Sequence, residues 1–148
     1  MALDFDGEFE VEKSPDEVYE FLTDPERFAP LLPDFEDLEL HENGSFTIEV
    51  KVGVSHISGT ASVELDLVED DQPKHALYRG SGTVVGGSVD LEAGFDLEEV
   101  NSGSTLVKWR GQPDVSGKIV SMAGGLLKPI AKKNIEKTIG RLRDEMES

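Results

Sequence analysis

Acidic and apolar residues alternate from the first positions of the chain, with Phe5, Phe9 and Val11 interleaved among Asp4, Asp6, Glu8, Glu10 and Glu12. A period of two with one charged face predicts a β-strand that has one side in water. Ser14-Pro15-Asp16-Glu17 then forms a capping box with proline at the first helical position, and Val18, Phe21 and Leu22 supply an apolar face at spacings of three and four. A short helix is predicted there. Asp24-Pro25 repeats the start signal for a second short helix carrying Phe28, which Pro30 and Pro33 cut off.

From Phe35 onward the pattern is that of strands, divided by turn residues at Asn43-Gly44, Val54-Ser55, Asp71 to Pro73, Gly86-Gly87 and Asn101 to Gly103. Six consecutive antiparallel strands are predicted. In the clearest, Ile57, Ala61, Val63, Leu65 and Leu67 face one way while Ser58, Thr60, Ser62, Glu64 and Asp66 face the other. Val89, Leu91, Ala93, Phe95 and Leu97 are set in the same manner against Asp90, Glu92, Asp96 and Glu98. Gly53, Gly59, Gly80, Gly82 and Gly94 lie in or beside these strands, where they permit bends and supply no side-chain volume. They read either as marks of a strongly curved sheet with unfilled space or as bulges alone.

Ser116 can cap a last helix running to about Met146, with Gly124, Gly125 and Pro129 predicting a kink or interruption in its first half. Beyond the kink, Ile135, Thr138, Ile139, Leu142 and Met146 make one stripe opposite Lys133, Lys137 and Arg141. Before it, Ile119, Val120, Met122, Ala123, Leu126, Leu127 and Ile130 point in almost every direction, so something besides the sheet must cover them. The order of elements predicts a single α+β domain over residues 1–148. Its seven-stranded, curved antiparallel sheet wraps around the long C-terminal helix, with two short helices between strands one and two.

The chain has 148 residues, enough for one core, and 37% are hydrophobic. Its 31 acids against 14 Lys and Arg give a net charge of -17, unevenly spread. Residues 1–117 hold 27 acids and 7 bases, whereas 118–148 hold 4 acids and 7 bases. Such a surface repels nucleic acid and anionic lipid, so no nucleic-acid partner is expected. Carboxylates on the outward strand positions point to a protein adapted to strong salt, against the alternative of an ordinary acidic surface. With no cysteine there is no disulfide or thiolate metal site. The start, MALDFDGEFE, lacks the basic and apolar regions of a signal peptide, and the longest uncharged apolar window, Ile119 to Leu127, is too short to cross a bilayer. A cytoplasmic protein is expected.

Few residues suggest chemistry. His41, His56 and His75 show no metal-ligating spacing, and no metal or cofactor is expected. Gly80, Gly82 and Gly86 resemble a dinucleotide loop only superficially, because a strand and not a helix follows. No Gly-x-Ser-x-Gly elbow is present, so nucleophilic catalysis has no positive sign. Asn43-Gly44-Ser45 reads as a hairpin turn more than as a glycosylation site. Lys128, Lys132, Lys133, Lys137 and Arg141 place positive charge on the last helix, either as a peripheral docking face for an acidic partner or lipid headgroups, or as a solvated face.

The segment FEVEKSPDEVYEFLTDPERFAPLLPDFEDLEL at the front and VKWRGQPDVSGKIVSMAGGLLKPIAKKNIEKTIGRLRDEM at the back resemble the family of the carbon monoxide dehydrogenase G subunit. That family belongs to the START-like (SRPBCC, helix-grip) superfamily. The resemblance covers nearly the whole chain and rests on a helix cap, a strand Trp and a Gly-interrupted helix. It implies a cavity between sheet and helix holding an apolar, quinone- or lipid-like molecule, and a partner among redox enzymes of the molybdenum-hydroxylase type. Some relatives continue into a C-terminal membrane anchor; this chain ends at Ser148, and no stable anchor is expected.

The candidate pocket set follows from the elements and this resemblance together. Phe28, Leu32 and Phe35 come from the segment expected over the open end of the sheet, and Met122, Leu126 and Ile130 from the helix opposite. Phe95 belongs to the inward face of its strand. Trp109, the only tryptophan, could line the pocket and offer its N–H to a ligand oxygen, or pack in the core. Arg79 could anchor a ligand oxygen, as could Arg110, or both could pair with surface acids; the alternation fits either face. Three functions stand at this point: a carrier or assembly factor for an apolar ligand, a small enzyme of the polyketide cyclase or aromatase type, and a ligand-free interaction domain. The second needs at least two ionisable groups converging inside, and the alternation puts nearly every Asp and Glu outside.

Overall fold

The computed structural model of the chain describes residues 1–54 and 56–148. Strand β1 (Phe5–Val11) leads into α1 (Pro15–Leu22) and α2 (Pro25–Phe28), followed by a single 3-10 turn at Ala29–Leu31. The strands β2 (Phe35–Leu40), β3 (Phe46–Val54), β4 (Ile57–Asp71), β5 (His75–Val84), β6 (Gly87–Val100) and β7 (Ser104–Gly117) come next, followed by α3 (Lys118–Glu147). All seven strands form one antiparallel sheet in the order β1-β7-β6-β5-β4-β3-β2. The expected architecture is what the structure shows. Of the predicted turn at Val54-Ser55, Ser55 lies outside the described residues.

The helix signals act as read. Ser14 Oγ accepts from the Glu17 amide at 3.3 Å and lies 3.3 Å from the Glu17 carboxylate, while Asp24 accepts from the Glu26 amide at 3.1 Å. The buried face of α1 is Val18, Tyr19 and Phe21. Full burial of side chains of this size is worth about 1.5 to 3 kcal/mol each. They meet Val11, Phe95, Leu97 and Val107 of the sheet and Met146 of α3 in one cluster. A second cluster joins Ala29 to Phe46, Ile48, Leu65 and Tyr78. A third, at the other end, joins Ile119 to Val89 and Val115.

The start of α3 departs from the expectation. Ser116 is not its cap: it pairs with Ser88 inside β7, and the helix begins after Gly117, whose φ of 109° lies in the region open to glycine. No side chain caps this end. The predicted interruption falls at Ala123 (φ -142°, ψ 18°), just ahead of Gly124-Gly125. Ile119 and Ala123 turn inward, while Met122 is left 68% exposed and Leu126 46%. No helix among the described residues is long and apolar enough to cross a membrane.

Two glycines in β5 explain the tight curvature. A Cβ at Gly80 would stand 2.2 Å from the Glu64 carbonyl oxygen, and one at Gly82 only 1.9 Å from that of Ser62. The backbones of β4 and β5 approach so closely there that no side chain fits. At Gly53, by contrast, a Cβ would meet nothing within 4 Å, and glycine is not needed there for that reason.

Near the end of β5, His75 Nδ1 lies 2.8 Å from Asp96 and Nε2 2.6 Å from Glu69. Hydrogen bonding to Glu69 raises its pKa above the usual 6.5; burial opposes this, and the contact with Asp96 adds to the rise. A raised folded pKa gives stability that is full below about pH 6.5 and is lost as pH rises through the folded value. Denaturation midpoints measured from pH 6 to pH 9 should therefore fall more steeply for the wild type than for His75→Gln. Parallel curves would show that the imidazolium is not held by these carboxylates.

Candidate functional site

Between the inner sheet face and the second half of α3 lies a cavity of about 370 Å³, within the range that takes a small organic ligand. The sheet contributes Phe9, Tyr78, Leu91, Ala93, Phe95, Val107 and Trp109. Leu22, Phe28 and Leu32 close one side, and Ile135, Thr138, Ile139 and Leu142 of α3 form the roof. The floor stays open because Gly111, on the inward face of β7, has nothing within 4 Å of where a Cβ would stand.

Four members of the expected pocket set are brought together here: Phe28, Leu32, Phe95 and Trp109. Phe35 is not among the lining residues and packs in the second cluster, beside Phe28 and Leu32. Met122 and Leu126 face away, because the break at Ala123 commits Ile119, Val120 and Leu127 to the third cluster. Ile130 also lies before the stretch of α3 that reaches the cavity, which begins at Ile135. Arg79 points to the outer face, where its guanidinium is 3.5 Å from Glu92. Arg110 is exposed among Asp6, Glu8, Asp96 and Lys108 on that same face, and borders the cavity next to Gly94 and Gly111.

Sequence reasoning misses Tyr78, Ala93 and the roof residues as pocket walls. The helix stripe reads as packed on the sheet, and Leu142 and Met146 do pack against the first cluster, but Ile135, Thr138 and Ile139 stand over open volume. Tyr78 is recoverable. The turn that pairs Val84 with Gly87 sets Tyr78 opposite Ala93, whose inward direction the acids of β6 make plain.

The polar atoms on the wall are few. Tyr78 donates its hydroxyl to the Leu22 carbonyl at 2.9 Å, and burial pushes its pKa well above the usual phenol range. Thr138 donates to the Asn134 carbonyl within its own helix at 2.8 Å. The Trp109 indole lies over Gly7, where a Cβ would come within 2.8 Å of the ring. Its N–H donates to no protein acceptor among the described residues, and since no buried side-chain nitrogen is left without a partner, it reaches solvent. Neither a carboxylate nor an imidazole lines this cavity.

The sequence profile of the family described as CoxG, the G subunit of carbon monoxide dehydrogenase, matches residues 7–147. The chain belongs to the CoxG family. No curated protein sequence matches it. Among solved structures, a conserved protein from Geobacillus kaustophilus is similar with a TM-score of 0.85 at 22% identity, over 97% of this chain and 95% of that one. The ZhuI aromatase/cyclase from Streptomyces sp. R1128 gives a TM-score of 0.75 at 18% identity, over 99% and 94% of the two chains. A START superfamily protein from Mycobacterium smegmatis gives 0.68 at 14%, over 97% of each. At these identities the likeness is one of fold, and it places this CoxG-family chain in the START-like, helix-grip architecture.

Proposed function

We propose that this CoxG-family chain binds an apolar small molecule, quinone- or lipid-like, in the cavity between sheet and α3. It serves as carrier or recruitment factor for a redox enzyme of the carbon monoxide dehydrogenase type. The observation that carries the reading is the cavity itself: about 370 Å³ walled almost wholly by aliphatic and aromatic side chains, with Arg110 at its border. An apolar ligand matches that wall, which holds neither a carboxylate nor an imidazole. The redox partner rests on family membership alone.

A cyclase-type enzyme, as in one of the similar folds, is disfavoured by the same wall. General acid and base work needs ionisable groups converging on the substrate, and here the Tyr78 hydroxyl is spent on Leu22, which leaves Arg110, at the border, as the one charged group among the lining residues. An interaction domain is favoured by one observation, the exposure of Met122 and Leu126. Mass spectrometry of an organic extract of the purified protein separates these readings. A stoichiometric quinone or lipid is expected; a clean extract, with a molecular mass that rises with concentration, would transfer the function to the surface of α3.

The acid-rich outer face fits a protein working in concentrated salt in the cytoplasm, where counter-ions screen its self-repulsion. Its melting temperature should climb as KCl is raised from millimolar to molar. Full stability without added salt would contradict this.

A further inference from the structure

A second hollow, of about 330 Å³, lies where edge strand β1 meets α3. Its floor is Phe5, Trp109, Ile135 and Ile139, and the last three of these also wall the inner cavity. Trp109 on the sheet side and two isoleucines on the helix side are thus all that stands between the two spaces. The rim of this cleft is charged: Lys128 and Lys132 on the helix side with Glu136 one turn on, and Asp4 and Asp6 on the strand side. None of these five is in an ion pair among the described residues.

The attachment of α3 lets the two spaces join at this cleft. At its start the helix is held by Ile119, which donates its amide to the Gly86 carbonyl at 3.0 Å. At its end Arg141 donates to the Leu31 carbonyl at 3.3 Å, Arg143 to the Glu10 carbonyl at 3.2 Å, and Glu147 accepts the Glu12 amide at 3.0 Å. Between them, among the described residues, no hydrogen bond or ion pair ties residues 120–140 to another element. The span also contains the break at Ala123 and Pro129. From Lys128 to Gly140 the helix can lift from β1 mainly at the cost of contacts between Trp109 and the two isoleucines, while Val120 and Leu127 before it stay packed on the third cluster.

Resting on the carrier reading, we propose that this cleft is the mouth of the cavity and holds the uncharged polar head of a long amphiphile, whose apolar chain passes Trp109 to fill the inner space. The charge pattern selects the head. A full negative charge meets Asp4 and Asp6 on the strand wall, and a full positive charge meets Lys128 and Lys132 on the helix wall. All four side chains are exposed, so either repulsion weakens as salt is raised and is read best at low ionic strength. A neutral head with oxygen acceptors toward the ammoniums and a hydroxyl donor toward the carboxylates meets no like charge.

Trp109 is the single tryptophan, and its emission reports binding at the junction directly. Titrations at fixed salt with decan-1-ol, decanoate and decyltrimethylammonium compare three heads on one chain length. The alcohol should bind at least tenfold more tightly than either ion. Because an apolar cavity disfavours any ion, the decisive readings are crossed: Asp4→Asn/Asp6→Asn should bring decanoate to within about threefold of the alcohol without rescuing the cation. Lys128→Gln/Lys132→Gln should rescue the cation and not decanoate. An ion that binds as tightly as the alcohol, or preferences unmoved by either pair of exposed substitutions, would overturn the proposal while leaving the carrier reading intact. Failure of all three probes to bind would overturn both.

Discussion

Gly111→Phe is expected to abolish uptake of a wholly apolar probe such as diphenylhexatriene while leaving the melting temperature unchanged or higher. The position points inward from β7 and has only open space within 4 Å of a Cβ. A phenyl ring there starts from open space and extends into the 370 Å³ cavity. Overpacking a filled core costs about 1 to 3 kcal/mol, but an empty site carries no such cost, and replacing a strand glycine also removes freedom from the unfolded chain. Affinity should drop at least about tenfold. Unchanged probe binding in the folded variant would place the ligand elsewhere and remove the main support for a carrier.

Gly82→Ala is expected to act in the opposite sense, on the fold more than on the ligand. The methyl group would stand 1.9 Å from the Ser62 carbonyl oxygen and 2.7 Å from the Val63 Cα, both backbone atoms that no rotamer change can move. β4 and β5 would have to separate, losing ladder hydrogen bonds and opening the second core cluster beneath. A loss of about 3 kcal/mol or more in chemical denaturation is anticipated, at the severe end for one added methyl. Gly53→Ala, in open space, is the matched control and should stay within about 0.5 kcal/mol of wild type. Equal stability of the two variants would show that the sheet relaxes and that its curvature does not depend on Gly82.

These two glycines show where the chain is readable. Alternation against acids makes the inward faces of β4 and β6 plain, because Asp and Glu stay in water whatever the neighbours do. The caps at Ser14 and Asp24 are local and equally plain. On β5 the acids stop, so both faces of Leu77 to Val85 look alike, and Arg79 fits a ligand anchor by pattern although its partner is Glu92 on the outer surface. Its face is fixed only by the pairing with β6, a nonlocal fact. The helix misleads for a related reason. The elements and the family resemblance together assign Met122 and Leu126 to the cavity, but the break at Ala123 turns Ile119, Val120 and Leu127 to the third cluster and leaves Met122 and Leu126 outside. Empty volume itself has no sequence signature. A stripe such as Ile135, Ile139 and Leu142 is equally apolar over a packed sheet and over a hollow.

The strand order bears on how the molecule comes into being. Each neighbouring pair from β2 to β7 is a hairpin whose partners leave the ribosome in succession, but β1 pairs with β7, Phe5 opposite Gly111. Closing so long a loop loses chain entropy before pairing returns any of it. During synthesis the first strand and the helix behind it wait unpartnered until the six later strands have emerged, and α3 follows later still. The hollow under α3 therefore comes into existence only after the whole sheet has been made.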